Sequence, residues 1–380
     1  MPHTPTRTLA LLCTSRSWGG LEMNVARLAQ WLQAAGHPVC VVGLPESPLG
    51  RALKGTDVPL IPFSRPLKYF DIQSARRLAA HLRQAGCHLC MVTTTHDLHT
   101  AALARQLFSR RLVLVYWQQM QLGVRKRGWL HTSIYRSLAA WVAPMPWLRA
   151  QVGTHTRMPL ERVWVIPLGV DSEGLRETLP ETQAKARALL DLPEAGPWVG
   201  LIGRIDPKKG QHLLLEAVAL LAARWPALRV LLLGDPTIGG DDPGYPERLR
   251  ARVGALGLTD RVVFRPGRPD VAVGFRALDV FAMCSSGETY GVVTVEAMAC
   301  GTPIVAAHAG SNPDLLAGGA RGLLFAPDDP AALAAAIETV LDDPAGAQAR
   351  AAAAEAAALG ELGKTAMLQQ FESLFQRLGL

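Results

Sequence analysis

The stretch Ser285–Met298, SSGETYGVVTVEAM, follows the apolar run Val280–Met283 and decides how the chain is read. The run has the composition of a buried strand. Ser285, Ser286 and Gly287 then bring the chain out at its carboxyl end, where open α/β sheets bind ligands. A helix is expected to begin near Thr289, with free leading N–H groups and a positive dipole end that favour a phosphate. Glu288 stands just before that helix and Glu296 about two turns further on, roughly 12 Å along the axis. Carboxylates so far apart share neither a proton nor one bound atom. They are expected to touch different parts of an extended ligand.

Outward from this segment, short apolar or β-branched runs alternate with stretches of helical period. Thr8–Cys13, Pro38–Gly43, His88–Thr93 and Arg111–Tyr116 read as strands in the first half. In the second half, Trp198–Gly203, Arg229–Gly234, Arg261–Phe264, Val280–Met283 and Pro303–Ala306 do the same. Alternation of this kind is the pattern of βαβ units on parallel sheets, and 380 residues suit two cores better than one. The expected fold class is α/β, with Rossmann-like domains at 1–168 and 169–355 and a closing helix at 356–380. Met367, Phe371 and Phe375 give that helix an apolar stripe for docking. Pro167–Asp171 and the polar stretch to about residue 196 read as the linker. A dinucleotide fingerprint is missing: the first strand leads into Trp18-Gly19-Gly20-Leu21-Glu22, and Gly200 and Gly203 are wrongly spaced.

The second half opens on Gly200–Gly210, GLIGRIDPKKG, where a strand ends and a loop presents Arg204 and Lys209, with Lys208 as a solvated neighbour. Fixed cations aimed at a departing diphosphate stabilise the transition state more than the ground state. Together with Glu288 and Glu296, this loop suits a nucleotide sugar, which carries hydroxyls on either side of its diphosphate.

These pieces resemble glycosyltransferase family 4, built on the GT-B fold of two facing Rossmann-like domains with the donor cleft between them. The family's E-x7-E pattern stands as Glu288 and Glu296, and its G-R-x-x-x-x-K-G element as Gly203, Arg204, Lys209 and Gly210. An N-terminal glycine loop stands as Gly19-Gly20 followed by Glu22, and an interdomain P-x-G-V-D element as Pro167, Gly169, Val170 and Asp171. The resemblance runs from about residue 8 to residue 340. It implies that Arg204 and Lys209 hold the diphosphate, that Glu288 contacts the transferred sugar and that Glu296 binds the ribose. It further implies that Gly19, Gly20 and the backbone amides of Tyr290, Gly291 and Val292 close on the donor phosphates. Transfer with retention, without a metal or resident cofactor, is the family's chemistry, so Asp241-Asp242 is read as a solvated turn. The sequence departs from the family where a histidine often follows the strand ending at Tyr116. Gln118 or Gln119 stands there, able to hydrogen-bond but not to shuttle a proton. His96, beside Asp97, is the alternative contact for donor or acceptor, or a plain loop histidine.

Net charge is +7, yet residues 1–168 hold 20 Lys+Arg against 6 Asp+Glu, and residues 169–380 hold 19 against 26. A basic first half is expected to face something anionic. Arg125-Lys126-Arg127-Gly128-Trp129 joins cations to an aromatic, a composition suited to an acidic glycan or to anionic lipid headgroups. The expected partners are a nucleotide-sugar donor and an anionic glycolipid or glycan acceptor in cell-envelope synthesis, with peripheral contact to an anionic membrane. Nucleic acid is not expected, because no binding motif accompanies the charge. No apolar run reaches the roughly 20 residues of a membrane span, and the start of the chain lacks a signal-peptide pattern. These features imply a cytoplasmic protein, at the inner face of the membrane. Cys87 and Cys90 lack the second pair a structural zinc site requires. The competing readings are a GT-B nucleotide-sugar epimerase or phosphorylase, and a binding-only protein with a degenerate site.

Overall fold

The computed structural model describes residues 8–236 and 242–379; Asp241 of the Asp241-Asp242 pair lies outside the described residues. Contacts group the chain up to Leu168 with the part from Met367 onward, and Gly169–Ala366 into a second unit.

The first unit is a seven-stranded sheet in the order β3-β2-β1-β4-β5-β6-β7. Its strands are β1 Thr8–Cys13, β2 Val39–Gly43, β3 Leu60–Pro62, β4 Cys87–Val92, β5 Val113–Trp117, β6 Ala140–Ala143 and β7 Val163–Val165. Every pairing is parallel. The central strands are buried on both faces, which is why Leu9–Cys13 and Leu89–Val92 read as unbroken apolar runs. The helix Lys364–Arg377 brings Met367, Phe371, Leu374 and Phe375 into this core. Phe371 meets Trp117 edge-on at 5.9 Å, and Arg377 lies 5.5 Å over the Trp164 ring.

The second unit is a six-stranded parallel sheet in the order β10-β9-β8-β11-β12-β13. Here β8 is Trp198–Ile202, β9 Arg229–Leu233, β10 Val262–Arg265, β11 Val280–Met283, β12 Ile304–Ala307 and β13 Leu323–Phe325. Both sheets reverse their strand order once, between β1 and β4 and between β8 and β11. Such reversals open a crevice at the carboxyl ends of the two strands, and ligands bind there.

Three expectations change. The stretch expected as a polar linker forms the helices Ser172–Glu177 and Gln183–Ala188 within the second unit. Arg187 there donates to the Ala277 carbonyl at 3.1 Å and to Asp279 at 2.8 Å, which anchors the segment under β11. Residues 356–366 group with the second unit: the helix Pro344–Leu359 runs unbroken through 356 and docks beside Val292–Ala299, and the closing helix Lys364–Arg377 groups with the first unit only from Met367 onward. Finally, β3, β6, β7 and β13 were not expected; β3, β7 and β13, at three residues each, are too short for a pattern to register.

Candidate active site

Two loops meet at the second unit's switch point. After β8 the chain turns through Gly203, and the Gly203 N–H donates to the Leu233 carbonyl at 2.9 Å. Asp206 caps a short 3-10 turn, Pro207–Lys209, by accepting from the Lys208 N–H at 3.0 Å. Gly210 then adopts φ 76° and starts the helix Gln211–Leu221. A side chain at Gly210 would stand 2.8 Å from Cys284 Cβ, so only glycine lets this loop close on the end of β11. That closure delivers Lys209 to the second loop, where its ammonium pairs with the Glu288 carboxylate. Both side chains are largely buried, 24% and 15% exposed. Arg204 is exposed on the same loop, and its carbonyl accepts from the buried Gln211 amide at 2.8 Å.

Glu288 is held by its backbone. The Ser311 N–H donates to the Glu288 carbonyl at 3.2 Å, and Gly310 packs so closely that a Cβ there would stand 2.2 Å from that oxygen. Gly310 and Ser311 were not picked out from the sequence. The signal available was the Gly-Ser-Asn-Pro run that follows β12 after His308 and Ala309, a loop at the ligand-binding end of the sheet.

The helix expected from Thr289 starts at Val292 instead. Gly291 caps it at φ 82°, ψ 54°, a left-handed conformation that cannot continue a right-handed helix backwards. Glu288 therefore sits on a turn, and the 12 Å axial spacing does not apply; Glu296 rises only about 6 Å above the helix start. The first turn leaves its leading N–H groups without intrahelical acceptors, and Gly291 and Val292 stand there. The buried side-chain oxygens of Thr294 and Ser311 find no hydrogen-bond partner among the described residues. Both lie within 3.4 Å of the position a Gly291 side chain would fill. Tyr290 is buried at the same turn and Glu296 is half-buried on the helix. The Lys209 ammonium, the leading amides of the helix at Gly291 and the buried Thr294 and Ser311 hydroxyls are thus grouped at one turn, a composition suited to a phosphate flanked by hydroxyl-bearing groups.

A pocket of about 270 Å³ opens beside it at the ends of β9 and β10, lined by Ile205, Gly234, Asp235, Arg250, Phe264 and Arg265. Arg265 donates to the carbonyls of Leu190 and Asp191, and Arg268 pairs with Asp270. A larger cavity of about 580 Å³ lies where the strands begin, at Pro197, Asp279 and Pro303, away from the motif residues. Asp242 pairs with Arg248. Among the described residues no three His, Cys, Asp or Glu side chains gather as metal ligands.

In the first unit the switch-point residues are tied together. Asp97 is fully buried, accepting from the Thr14 N–H and hydroxyl and from the Thr94 hydroxyl. It locks the end of β1 to the helix Thr95–Leu103. His96 sits in that helix's first turn, its Nδ1 3.8 Å from Asp97 Oδ1 and a quarter of its side chain exposed. Gly19 caps the helix Gly20–Ala34, and its N–H donates to the buried Glu22 carboxylate at 2.9 Å. Gln118 is not available to a ligand. It is fully buried, accepting from the Trp141 indole at 2.9 Å and donating to the Met120 carbonyl at 2.9 Å. Gln119 accepts from Asn24 at 2.9 Å. Arg125 is exposed and Lys126 half-buried, with the Lys126 N–H bonded to the His155 carbonyl.

His99, also in the first unit, gives a pH prediction. Its Nδ1 faces the Thr95 carbonyl at 3.1 Å and so carries the proton, and burial pushes the ring's pKa down to about 4. The unfolded chain binds more protons than the folded one between pH 6.5 and 4, so stability falls as pH drops through that window. The expected loss reaches up to about 3 kcal/mol. Urea denaturation at pH 7 and pH 4.5 should show a smaller difference for His99→Gln than for the native chain.

Two doubly wound parallel sheets, one with a lysine–glutamate pair at its switch point, define a GT-B architecture. Solved structures agree. HepE from Anabaena in complex with UDP is 25% identical, covering 98% of this chain and 100% of that one with a TM-score of 0.85. The same protein with UDP-glucose gives 26% identity over 97% and 99% of the two chains, with a TM-score of 0.76. Residues 18–173 match the family model Glycosyltransferase Family 4, and residues 182–359 match Glycosyl transferases group 1. The chain belongs to this family of glycosyltransferases. Among curated relatives, the D-inositol 3-phosphate glycosyltransferase of Mycobacterium marinum is 39% identical over 202 residues, 52% of this chain and 41% of that protein. The protein of that name from Streptomyces scabiei is 32% identical over 286 residues, 74% of this chain and 62% of its own. The matched stretches therefore span less than two thirds of these relatives' length.

Proposed function

We propose that the chain transfers a hexose from a UDP-sugar, with retention of configuration, to an anionic glycolipid or glycan acceptor in cell-envelope synthesis. The observation that carries this reading is the Lys209–Glu288 pair in front of the Gly291 helix start, at the second sheet's switch point. The likeness to HepE, a protein solved with UDP and UDP-glucose, supports uridine as the base. In this reading Lys209 and Arg204 take up the charge of the departing diphosphate, and Glu288 orients the sugar while holding Lys209. Glu296 receives the ribose hydroxyls. The bond from sugar C1 to the diphosphate oxygen breaks as the acceptor oxygen bonds to C1 on the same face, and the acceptor proton passes to the leaving phosphate. Because Lys209 and Arg204 supply positive charge at the leaving group, no metal or cofactor is required. Charge also favours an anionic acceptor for the basic first unit, and the relatives named for inositol 3-phosphate carry an anionic group in their named substrate. Among the described residues no helix is long and apolar enough to cross a membrane. We place the chain in the cytoplasm, in peripheral contact with the inner membrane face through its basic residues.

Incubation with a UDP-hexose and an anionic glycolipid fraction, with and without EDTA, tests the reading. An α-linked product and free UDP, unaffected by EDTA, are expected. A β-linked product would contradict retention, and metal dependence would contradict the role given to the cations. Sugar released from donor alone would favour an epimerase, and a requirement for inorganic phosphate a phosphorylase.

A further inference from the structure

The first unit holds a cluster of titratable groups that the donor chemistry does not use. Lys68 Nζ lies 5.3 Å from the Tyr69 ring centroid, and that ring meets His99 edge-on at 4.6 Å. His99 in turn lies 6.0 Å from His131, which lies 6.1 Å from Tyr135. These rings bring together the loop 65–71 and the helices Thr95–Leu103 and Trp129–Arg136. Lys126 stands on the loop that leads into Trp129–Arg136, and its charge acts on both His99 and His131. Burial first, then the charge of Lys68, lowers the Lys126 pKa, and burial followed by Lys126 and Lys68 lowers that of His131.

No carboxylate answers this charge. Among the described residues neither Lys68 nor Lys126 has an ion-pair partner. The nearby Asp71 is engaged by the N–H groups of Leu67 and Ser74, each at 2.9 Å. His99 is 7% exposed, and its Nε2 has no hydrogen-bond partner among the described residues. Lys126 and His131 are half-buried and Lys68 is exposed beside them; cations gathered in this way without a counter-ion favour a ligand that brings one. Tyr69 and His131 add a polar edge to the same surface.

We propose that Lys68, Lys126 and His131, set around the Tyr69 and His99 rings, form a subsite for a phosphate group. In calling its bearer the acceptor, the inference rests on the sugar-transfer reading; the anion site itself does not. Leu67, Phe70, Val124 and Trp129 stand exposed along the same loops, between 64% and 78%. The phosphate can accordingly belong to a lipid headgroup, with those side chains in the acyl boundary, or to a free phosphorylated polyol.

The test follows the ring signals of His99 and His131 by NMR in the full chain while inorganic phosphate is added. His131→Asn and His99→Gln assign the signals. Saturable movement of the His131 signal is expected, with its pKa rising as the anion offsets Lys68 and Lys126. Lys68→Ala and Lys126→Ala should each raise the half-saturating concentration about tenfold, and Lys126→Arg should restore much of the loss. Vesicles of phosphatidylglycerol, but not of phosphatidylcholine, move the signal if the phosphate is a headgroup. Response to inorganic phosphate alone assigns a free phosphorylated ligand. A His131 signal that responds to neither probe, or responds equally in both lysine variants, overturns the subsite. Because no sugar donor is present, that outcome leaves the donor reading standing, and failure of the Lys209 tests leaves this one.

Discussion

Replacing Lys209 by Ala should lower sugar transfer by about 10²–10³-fold, or roughly 3–4 kcal/mol of barrier, the scale of one preorganised group at a developing charge. The chain places this ammonium with some care. Asp206 caps the turn that carries it, Gly210 allows the loop to close on Cys284, and Glu288 holds the charge in place. A second effect follows from the pairing. Loss of Lys209 leaves the Glu288 carboxylate, 15% exposed, without its partner, which destabilises the fold. Adding Glu288→Gln to Lys209→Ala removes that unpaired charge, so the double variant should melt above the single one while staying inactive. Lys209→Arg should recover only part of the activity, since a planar guanidinium does not replace a compact ammonium. Thermal melts read alongside single-turnover transfer rates separate the two effects.

Gly310→Ala should be nearly as damaging although residue 310 carries no chemistry. Its φ of 57° costs an alanine about 1–2 kcal/mol. The added methyl would also stand 2.2 Å from the Glu288 carbonyl oxygen, so one of the two segments has to move. Together these should lower stability by about 2–4 kcal/mol and shift Glu288 against Lys209. A displacement of about 1 Å in a positioned group costs about 10²-fold in rate. Gly318 provides the control. Its φ is 63° but nothing lies within 4 Å of an added Cβ, so Gly318→Ala carries the strain without the collision and should leave kcat unchanged.

The contrast between Lys209 and Gly310 shows what a sequence makes legible. Lys209 and Glu288 could be singled out because each ends a motif that leaves a strand, and side-chain chemistry is written in residue type. The two sheets were legible for a similar reason: strands buried on both faces, such as β1, β4 and β8, are continuous apolar runs. The edge strands β3, β7 and β13 have three residues each and carry no such signature. Backbone conformation was harder to read. The sequence Thr289-Tyr290-Gly291-Val292 permits a helix through all four residues, and only the left-handed Gly291 sets its start at Val292. Close approach between distant segments, as at Gly310 and Glu288, depends on the folded path of the chain. Gln118 teaches the same lesson. Its position after β5 suggested a ligand contact, but burial of Trp141 requires an acceptor for the indole N–H, and Gln118 supplies it.

Calorimetric titration of UDP into the native chain, Lys209→Ala and Lys208→Ala tests most directly whether the second unit's switch point is a nucleotide-sugar site. Lys208 is exposed one residue away on the same turn, so it controls for charge alone. Saturable binding by the native chain is expected, with affinity weakened about tenfold or more in Lys209→Ala and binding by Lys208→Ala close to native. No UDP binding by the native chain, or equal affinity in Lys209→Ala, would contradict a nucleotide-sugar site there.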